Sequence, residues 1–326
     1  MIVVTGASGH VGGNLVRMLL KLGRSVRATF HRDKRALEDL DIEIVHCDVQ
    51  DYDSLKKAFR GADVVFHTAG YISLLMSDWP RVESINVLGT RNVVEACLSC
   101  GVRRLVHFSS IHALCQEPLD TPIDENRPYA DSRHYPPYDR SKAAGEREVL
   151  KGIEKGLDAV ILNPTGIIGP YDYRPSHTGE LILSLARGTL PALVQGGFDW
   201  VDVRDVVEGA LLAEKQAAQG TRYILSGQWA SAGDIAAEVE TITGIPAPRL
   251  TAPLWLARIG APFLTAYSRL TKTRPLYTTV SMKALNSNPN ISHGRAARDL
   301  GYKPRPFQKT IRDTVLWFRD NGWIDY

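Results

Sequence analysis

The chain has 326 residues, 44% of them hydrophobic, with 39 Lys and Arg against 36 Asp and Glu for a formal net charge of +3. That length and apolar content are enough for a large core and a smaller lobe, while so small a charge argues against a nucleic-acid partner. No apolar stretch reaches the roughly 18 residues of a bilayer-spanning helix, and no basic leader with an apolar run precedes the first expected strand, so no integral membrane segment is expected and a cytoplasmic location is the default.

Met1 to Thr5 read as a strand and Asn14 to Leu20 as a helix. Between them, Thr5-Gly6-Ala7-Ser8-Gly9-His10-Val11-Gly12 forms a tight turn with glycines three and three apart. Gly6 and Gly9 let the backbone turn and approach a pyrophosphate, whose charge a helix N-terminus stabilises, and Gly12 lets the helix pack closely on a sheet. The commoner dinucleotide spacing is two and three.

Strand-like runs at Val26–Phe30, Glu43–Cys47, Asp63–His67, Arg104–Phe108 and Ala159–Leu162 alternate with helical ones. This alternation predicts an α/β chain with a Rossmann-type doubly wound parallel sheet and helices on both faces. The second strand ends in Phe30, His31 and Arg32, with Asp33, Lys34 and Arg35 following. An acid at that end would bind ribose hydroxyls and repel a 2'-phosphate. Its absence before a basic run favours NADP(H), with Arg32 as phosphate partner beside His31. NAD(H) stays possible, because a charged helix start facing water has the same composition.

A helix is expected from about Trp79 to Cys100. Cys97-Leu98-Ser99-Cys100 has redox or half-zinc spacing, yet the other cysteines, Cys47 and Cys115, form no second pair. Packing is the expected role, with no metal site and no disulfide framework. Past Ala159–Leu162, Tyr171 to Gly179 is a loop before a helix to Arg187. Val201-Asp202-Val203-Arg204-Asp205 returns the chain to the nucleotide unit, with a last strand near Arg222–Leu225. Later helices and the Lys303-Pro304-Arg305-Pro306 turn build most of a smaller lobe. The expected division is 1–169 and 198–226 for the dinucleotide-binding domain, and 170–197 and 227–326 for the substrate lobe.

The strand Arg104–Phe108 runs into Ser109 and Ser110, where a strand end can present a donor to a substrate oxygen. Tyr138 and Lys142 stand four apart, on one helix face. A free phenol has a pKa of roughly 10, and an ammonium one turn away favours its phenolate, which predicts a tuned acid-base tyrosine.

In these ordered motifs the chain resembles the extended short-chain dehydrogenases/reductases over essentially its whole length. The resemblance implies that Thr5, Gly6, Ser8, Gly9, His10, Val11 and Gly12 hold cofactor phosphates and that Asp48 and Val49 lie beside the adenine. Thr68, Ala69 and Gly70 follow the fourth strand. Asn163, Pro164, Gly166 and Ile167 close over the nicotinamide. It implies a catalytic tetrad of Asn86, Ser110, Tyr138 and Lys142, although an asparagine at a helix start is often only a cap. Ser73, Ser110, His112, Tyr138 and Tyr171 are the implied substrate contacts. A homodimer through the Trp79–Cys100 helix and the helix of Tyr138 is implied as well, and Val87, Val94, Ala143, Val149 and Leu150 are apolar positions available for it.

Ile111 and His112 follow Ser110, where the family's dehydratases carry acids, so sugar-nucleotide dehydration is disfavoured. The wording from Gly169 onward looks like bacterial dihydroflavonol-reductase-like and hopanoid-associated epimerase-like members. Pro253 to Leu264 is apolar enough to line a pocket, rest on a membrane surface or pack the small lobe; it lacks the lysine-rich polar face of a membrane-surface helix, which favours lining or packing. An apolar pocket suits an aromatic or aliphatic carbonyl, whereas a nucleotide sugar needs arginines, for which Arg187, Arg222, Arg249, Arg269 and Arg274 are available. The favoured reading is an NAD(P)H-dependent carbonyl reductase or secondary-alcohol dehydrogenase acting on a small molecule. The alternatives are an NDP-sugar epimerase with tightly bound NAD and a catalytically silent nucleotide sensor.

Overall fold

A computed structural model describes residues 1–256 and 279–325. Strand β1 (Ile2–Thr5) is buried throughout and pairs in parallel with β2 (Val26–Phe30) and β4 (Val64–His67). With β3 (Glu43–His46), β5 (Arg104–Phe108), β6 (Ala159–Pro164) and β10 (Arg222–Leu225) these form a seven-stranded parallel sheet, ordered β10-β6-β5-β4-β1-β2-β3. Strand order reverses between β1 and β4, and a ligand crevice opens at the carboxyl ends beside such a reversal.

Successive strand side chains point to opposite faces, so Val3 and Val4 enter different cores. Val4, Phe66 and Val106 pack under Leu15, Val16 and Leu19 of α1 (His10–Lys21) and Val206 and Ala210 of α7 (Val203–Gln216). Val3, Val65 and Leu105 meet Leu55 of α2 (Tyr52–Phe59), Val93 of α4 (Gly89–Cys100) and Val149 of α5 (Pro137–Glu154). A second, three-stranded sheet, ordered β11-β9-β7, comprises β7 (Gly166–Ile168), β9 (Gly197–Asp202) and β11 (Gln228–Ser231), while β8 (Leu193–Val194) pairs in parallel with Thr251–Ala252. Beside it α6 (His177–Ala186), α8 (Ala232–Thr243) and the helix Phe307–Asp320 share a core around Ile182, Ile235, Ile311 and Phe318. Each such buried side chain contributes roughly 1.5–3 kcal/mol over exposure.

Several expectations change on folding. The Trp79 helix is not uniform: α3 (Trp79–Val82) widens into a π-helical stretch at Glu83–Leu88 before α4, and Asn86 lies in that stretch. Helix α6 starts at His177, inside the expected loop, because the Ser176 hydroxyl caps it by accepting from Gly179 N at 3.0 Å. The 201–205 segment divides, with its start in β9 and the rest opening α7, which packs on α1. Arg305 of the proline-rich turn donates to Asp205 Oδ1 at 2.7 Å and so docks that turn on α7. Cys97 is core, and all four cysteines are free.

Val94, Ala143 and Val149 are 4%, 0% and 0% exposed, Val87 is buried, and Leu150 packs on the same core. These apolar positions are therefore consumed within one subunit and supply no argument for a dimer. Trp255 is 63% exposed, and 257–264 of the apolar segment lie outside the described residues. No helix among the described residues is long and apolar enough to cross a membrane.

Candidate active site

The glycine turn is built by contact as much as by torsion. Gly6 has a φ of +67°, and a Cβ there would stand 2.6 Å from the Ala69 Cα. A Cβ on Gly12 would reach 2.3 Å from the Gly6 carbonyl oxygen. Thr5 and Thr68 brace the turn from below: the Thr68 hydroxyl donates to the Thr5 carbonyl at 2.6 Å, and the Thr5 hydroxyl meets His67 Nδ1 at 2.7 Å. His10 lines the same cavity as the glycines and ties the turn to the segment after β7, its Nε2 donating to the carbonyls of Gly169 and Pro170 at 3.1 Å each. Ser8 and Val11 belong to the same turn, Val11 packing on the α1 core.

Past β5, Ser110 is extended (φ −160°, ψ 154°) and caps a short 3-10 turn, its hydroxyl accepting from His112 N at 3.2 Å. The Ser110 carbonyl accepts from Asn163 Nδ2 at 2.8 Å. On α5, Tyr138 lies beside Ser110, and Lys142 Nζ donates to the Phe108 carbonyl at 2.8 Å. Burial pushes the Tyr138 phenol up to about 12, against a lowering hydrogen bond from Ser110, and Asp139 adds to the rise. Burial also pulls Lys142 down to about 8, opposed by Glu146. The expected lowering of the phenol by Lys142 is thus outweighed, because burial disfavours the phenolate and the ammonium is turned to Phe108. At neutral pH the phenol keeps its proton.

Asn86 is buried and its side chain is fully engaged. Its Oδ1 accepts from Tyr71 N at 2.8 Å, and its Nδ2 donates to the Tyr71 carbonyl and the Ser141 hydroxyl, both at 2.9 Å. It joins the loop after β4 to α5. Gly70 leaves the space between Asn86 and Lys142 open, since a Cβ there would lie 3.5 Å from Asn86 Oδ1 and 3.9 Å from Lys142 Nζ.

One cavity of about 690 Å³ runs from Gly6, Gly9 and Gly12 past Ser110 and Tyr138 to Phe198 and Trp200. Thr68, Gly70, Ser73, His112, Pro164, Gly166 and Ile167 also line it. A dinucleotide fits these residues: the close-packed glycines leave bare backbone at one end, and the hydroxyl pair stands farther along the same cavity. Asn163 does not reach it, because its Nδ2 is held by the Ser110 carbonyl and by Glu146 Oε1 at 2.6 Å. Tyr171 is likewise placed elsewhere, at a φ of +63°, with its ring 4.7 Å from the Arg17 guanidinium and 5.9 Å from Trp317. Asp48 and Val49 follow β3 away from the cavity; Asp48 stands 3.4 Å from His31, and Val49 packs against Gly89. Arg32 is exposed and, among the described residues, unpaired.

His112 sits beside the Ser110 and Tyr138 hydroxyls, stacked on Phe198 at 5.5 Å with Nδ1 3.6 Å from Asp139. Burial opposes its charge, but the Asp139 carboxylate prevails and raises its proton affinity above the ordinary imidazole value. Sequence reasoning missed Asp139, Gln116, Tyr135, Phe198, Trp200 and Lys283 as cavity walls. Asp139 stands next to Tyr138 on α5, Phe198 and Trp200 alternate on β9, and Gln116, Tyr135 and Lys283 come from segments far apart in the chain, so only Asp139 lay within a motif the sequence showed. Of the arginines held ready for a diphosphate, Arg222 pairs with Glu146 at 2.7 Å and Arg187 donates to the Trp323 carbonyl at 2.8 Å. Arg249 is exposed, and Arg269 and Arg274 lie outside the described residues.

Residues 2–225 match the NAD dependent epimerase/dehydratase family. Sterol demethylase protein B of Methylococcus capsulatus is 37% identical over 99% of this chain and 99% of its own length. A putative dihydroflavonol 4-reductase of Synechocystis is 35% identical over 98% of this chain and 95% of its own. Among solved structures, gox2253 superimposes with a TM-score of 0.86 at 33% identity, covering 100% of this chain and 99% of that one. The glycine turn, the parallel sheet and these full-length likenesses agree: the chain belongs to the NAD dependent epimerase/dehydratase family, within the extended short-chain dehydrogenases/reductases, and is an enzyme.

Proposed function

We propose that the protein is an NAD(P)H-dependent carbonyl reductase or secondary-alcohol dehydrogenase whose substrate is a small, apolar or aromatic ketone, aldehyde or alcohol. The observation that carries this is the single cavity in which Ser110 and a protonated Tyr138 stand between a glycine turn and an apolar wall of Leu181, Phe198, Trp200 and Ile235. Among the described residues the cavity's one Lys or Arg lining is Lys283, a poor match for the diphosphate of a nucleotide sugar. The two relatives named for sterol and dihydroflavonol chemistry suggest flat multi-ring substrates of the same character.

A bound nicotinamide cofactor supplies or accepts the hydride. Ser110 and Tyr138 hold the substrate oxygen, and the phenol gives it a proton in reduction or removes one in oxidation. Lys142 binds the ribose hydroxyls and limits the charge change at the phenol. Asn86 acts by position, tying α5 to the loop that carries Gly70. The apolar wall excludes water. Arg32 takes the 2'-phosphate, so NADP(H) is the favoured cofactor. In this reading 1–169 and 198–226 hold the cofactor, while 170–197 and the described parts of 227–326 hold the substrate. The homodimer is carried by the family resemblance alone.

A panel of aromatic, terpenoid and aliphatic ketones and alcohols, followed by cofactor absorbance, tests the assignment. Cofactor-dependent turnover is expected, and Tyr138→Phe should lower it by about 10²–10⁴-fold while NADPH affinity stays near wild type. Near wild-type turnover in Tyr138→Phe sinks the mechanism. Cofactor that co-purifies oxidised, with sugar-nucleotide epimerisation and no net consumption of NADPH, selects the epimerase instead.

A further inference from the structure

Behind the cavity lies a buried ionic network that the proposed chemistry has not used. Glu146 is on α5, one turn beyond Lys142, and is fully buried. Two strands converge on it. Asn163 of β6 donates to Oε1 at 2.6 Å, Arg222 of β10 stands 2.7 Å from Oε2, and the guanidinium of Arg222 also meets the Tyr129 hydroxyl. A carboxylate withdrawn from water is costly unless every oxygen is matched, and removing one partner of such a pair is more disruptive than replacing both.

We propose that Glu146 is a positioning residue of the reaction, holding the Ser110 turn through Asn163 and placing a carboxylate one helical turn from Lys142. The link to Ser110 is direct: the Asn163 Nδ2 that Glu146 orients is the same group that donates to the Ser110 carbonyl at 2.8 Å. The link to Lys142 is electrostatic. Around that ammonium, α5 presents Tyr138 and Glu146, β4 presents His67, and β5 presents His107 and the Phe108 carbonyl. Burial holds both imidazoles neutral at working pH, and Tyr138 is a neutral phenol. Glu146 is the carboxylate that opposes the loss of charge on Lys142.

The proposal rests on the reading in which Lys142 contacts the cofactor, and NADPH binding measured by fluorescence across pH separates the two. Wild-type affinity should weaken as pH rises past about 8, where buried Lys142 gives up its proton. In Glu146→Gln the weakening should begin about one pH unit lower, since an ammonium loses its proton more readily without a counter-charge at helical i,i+4 distance. Glu146→Asp should stay close to wild type. Because Glu146→Gln leaves Arg222 buried without its partner, the double variant Glu146→Gln/Arg222→Met is measured beside it and should show the same displacement.

A purely structural Glu146 would lower affinity by one factor at every pH and leave the midpoint in place, which overturns the proposal. So does failure of both Glu146→Gln variants to fold while Arg222→Met alone folds. Lys142→Met is the control. If it removes the pH dependence but Glu146→Gln does not move the midpoint, only the Glu146 role fails. If Lys142→Met keeps the wild-type profile, the cofactor contact of Lys142 fails and the proposal with it.

Discussion

Gly12 and Gly13 are adjacent in α1 yet should respond oppositely to alanine. A Cβ on Gly12 would come within 2.3 Å of the Gly6 carbonyl oxygen and 2.7 Å of the Ala7 Cα, both backbone atoms that no rotamer change can clear. A Cβ on Gly13 meets nothing nearer than 3.5 Å. Overpacking of this kind costs about 1–3 kcal/mol, and direct conflict with backbone belongs at the upper end. Helix propensity returns roughly 0.5–1 kcal/mol at either position. Gly12→Ala should therefore lose on the order of 2 kcal/mol net, and Gly13→Ala should gain a few tenths to about 1 kcal/mol. The relief available to Gly12→Ala is separation of α1 from the Gly6 turn, which spreads the backbone expected to hold the cofactor phosphates. NADPH affinity should then fall at least about tenfold, the equivalent of about 1.4 kcal/mol. Thermal unfolding of the free enzymes and NADPH titration by fluorescence measure both halves. If Gly12→Ala matches Gly13→Ala in stability and in affinity, the close-packing argument for the turn is wrong.

Three other outcomes are expected. Arg32→Ala should weaken NADPH far more than NADH, and the wild-type preference should shrink as salt screens an exposed charge pair; equal affinities in the wild type refute the phosphate contact. His67 is pushed down to about 3 and His107 well below its ordinary value, both chiefly by burial, so in acid the unfolded chain binds protons that the native chain refuses. Stability should fall as pH drops below about 6.5, by up to about 1.4 kcal/mol per pH unit for each histidine, and His107→Phe should remove one proton from that slope in urea titrations. For His112 the sign reverses. Its raised proton affinity makes the Asp139 contact stabilising at low pH and weaker as pH rises past the folded value, so Asp139→Asn should cost most stability in acid and least in alkali; a cost that grows with pH contradicts the pairing.

The local chemistry was legible in the chain itself. A glycine turn between an apolar strand and a helix, and a tyrosine and lysine four apart, are set by torsion and helical pitch, which neighbours in sequence determine. The alternation of strands and helices likewise carried the parallel sheet, because its central strands must be apolar on both faces. Contacts between distant segments were not legible. That Val94, Ala143 and Val149 face inward rather than toward a second subunit depends on how α4 and α5 lie against the sheet. The sequence offered Arg222 to a diphosphate, but β10 lies next to β6 and brings it to Glu146 instead. Tyr171 was expected at the substrate, and its backbone torsion and Arg17 hold it on α1. Helical pitch puts Lys142 near Tyr138, but only packing turns the ammonium to the Phe108 carbonyl and lets burial govern the phenol. Electrostatic strength depends on the surrounding dielectric, and burial is a property of the assembled fold rather than of residue spacing.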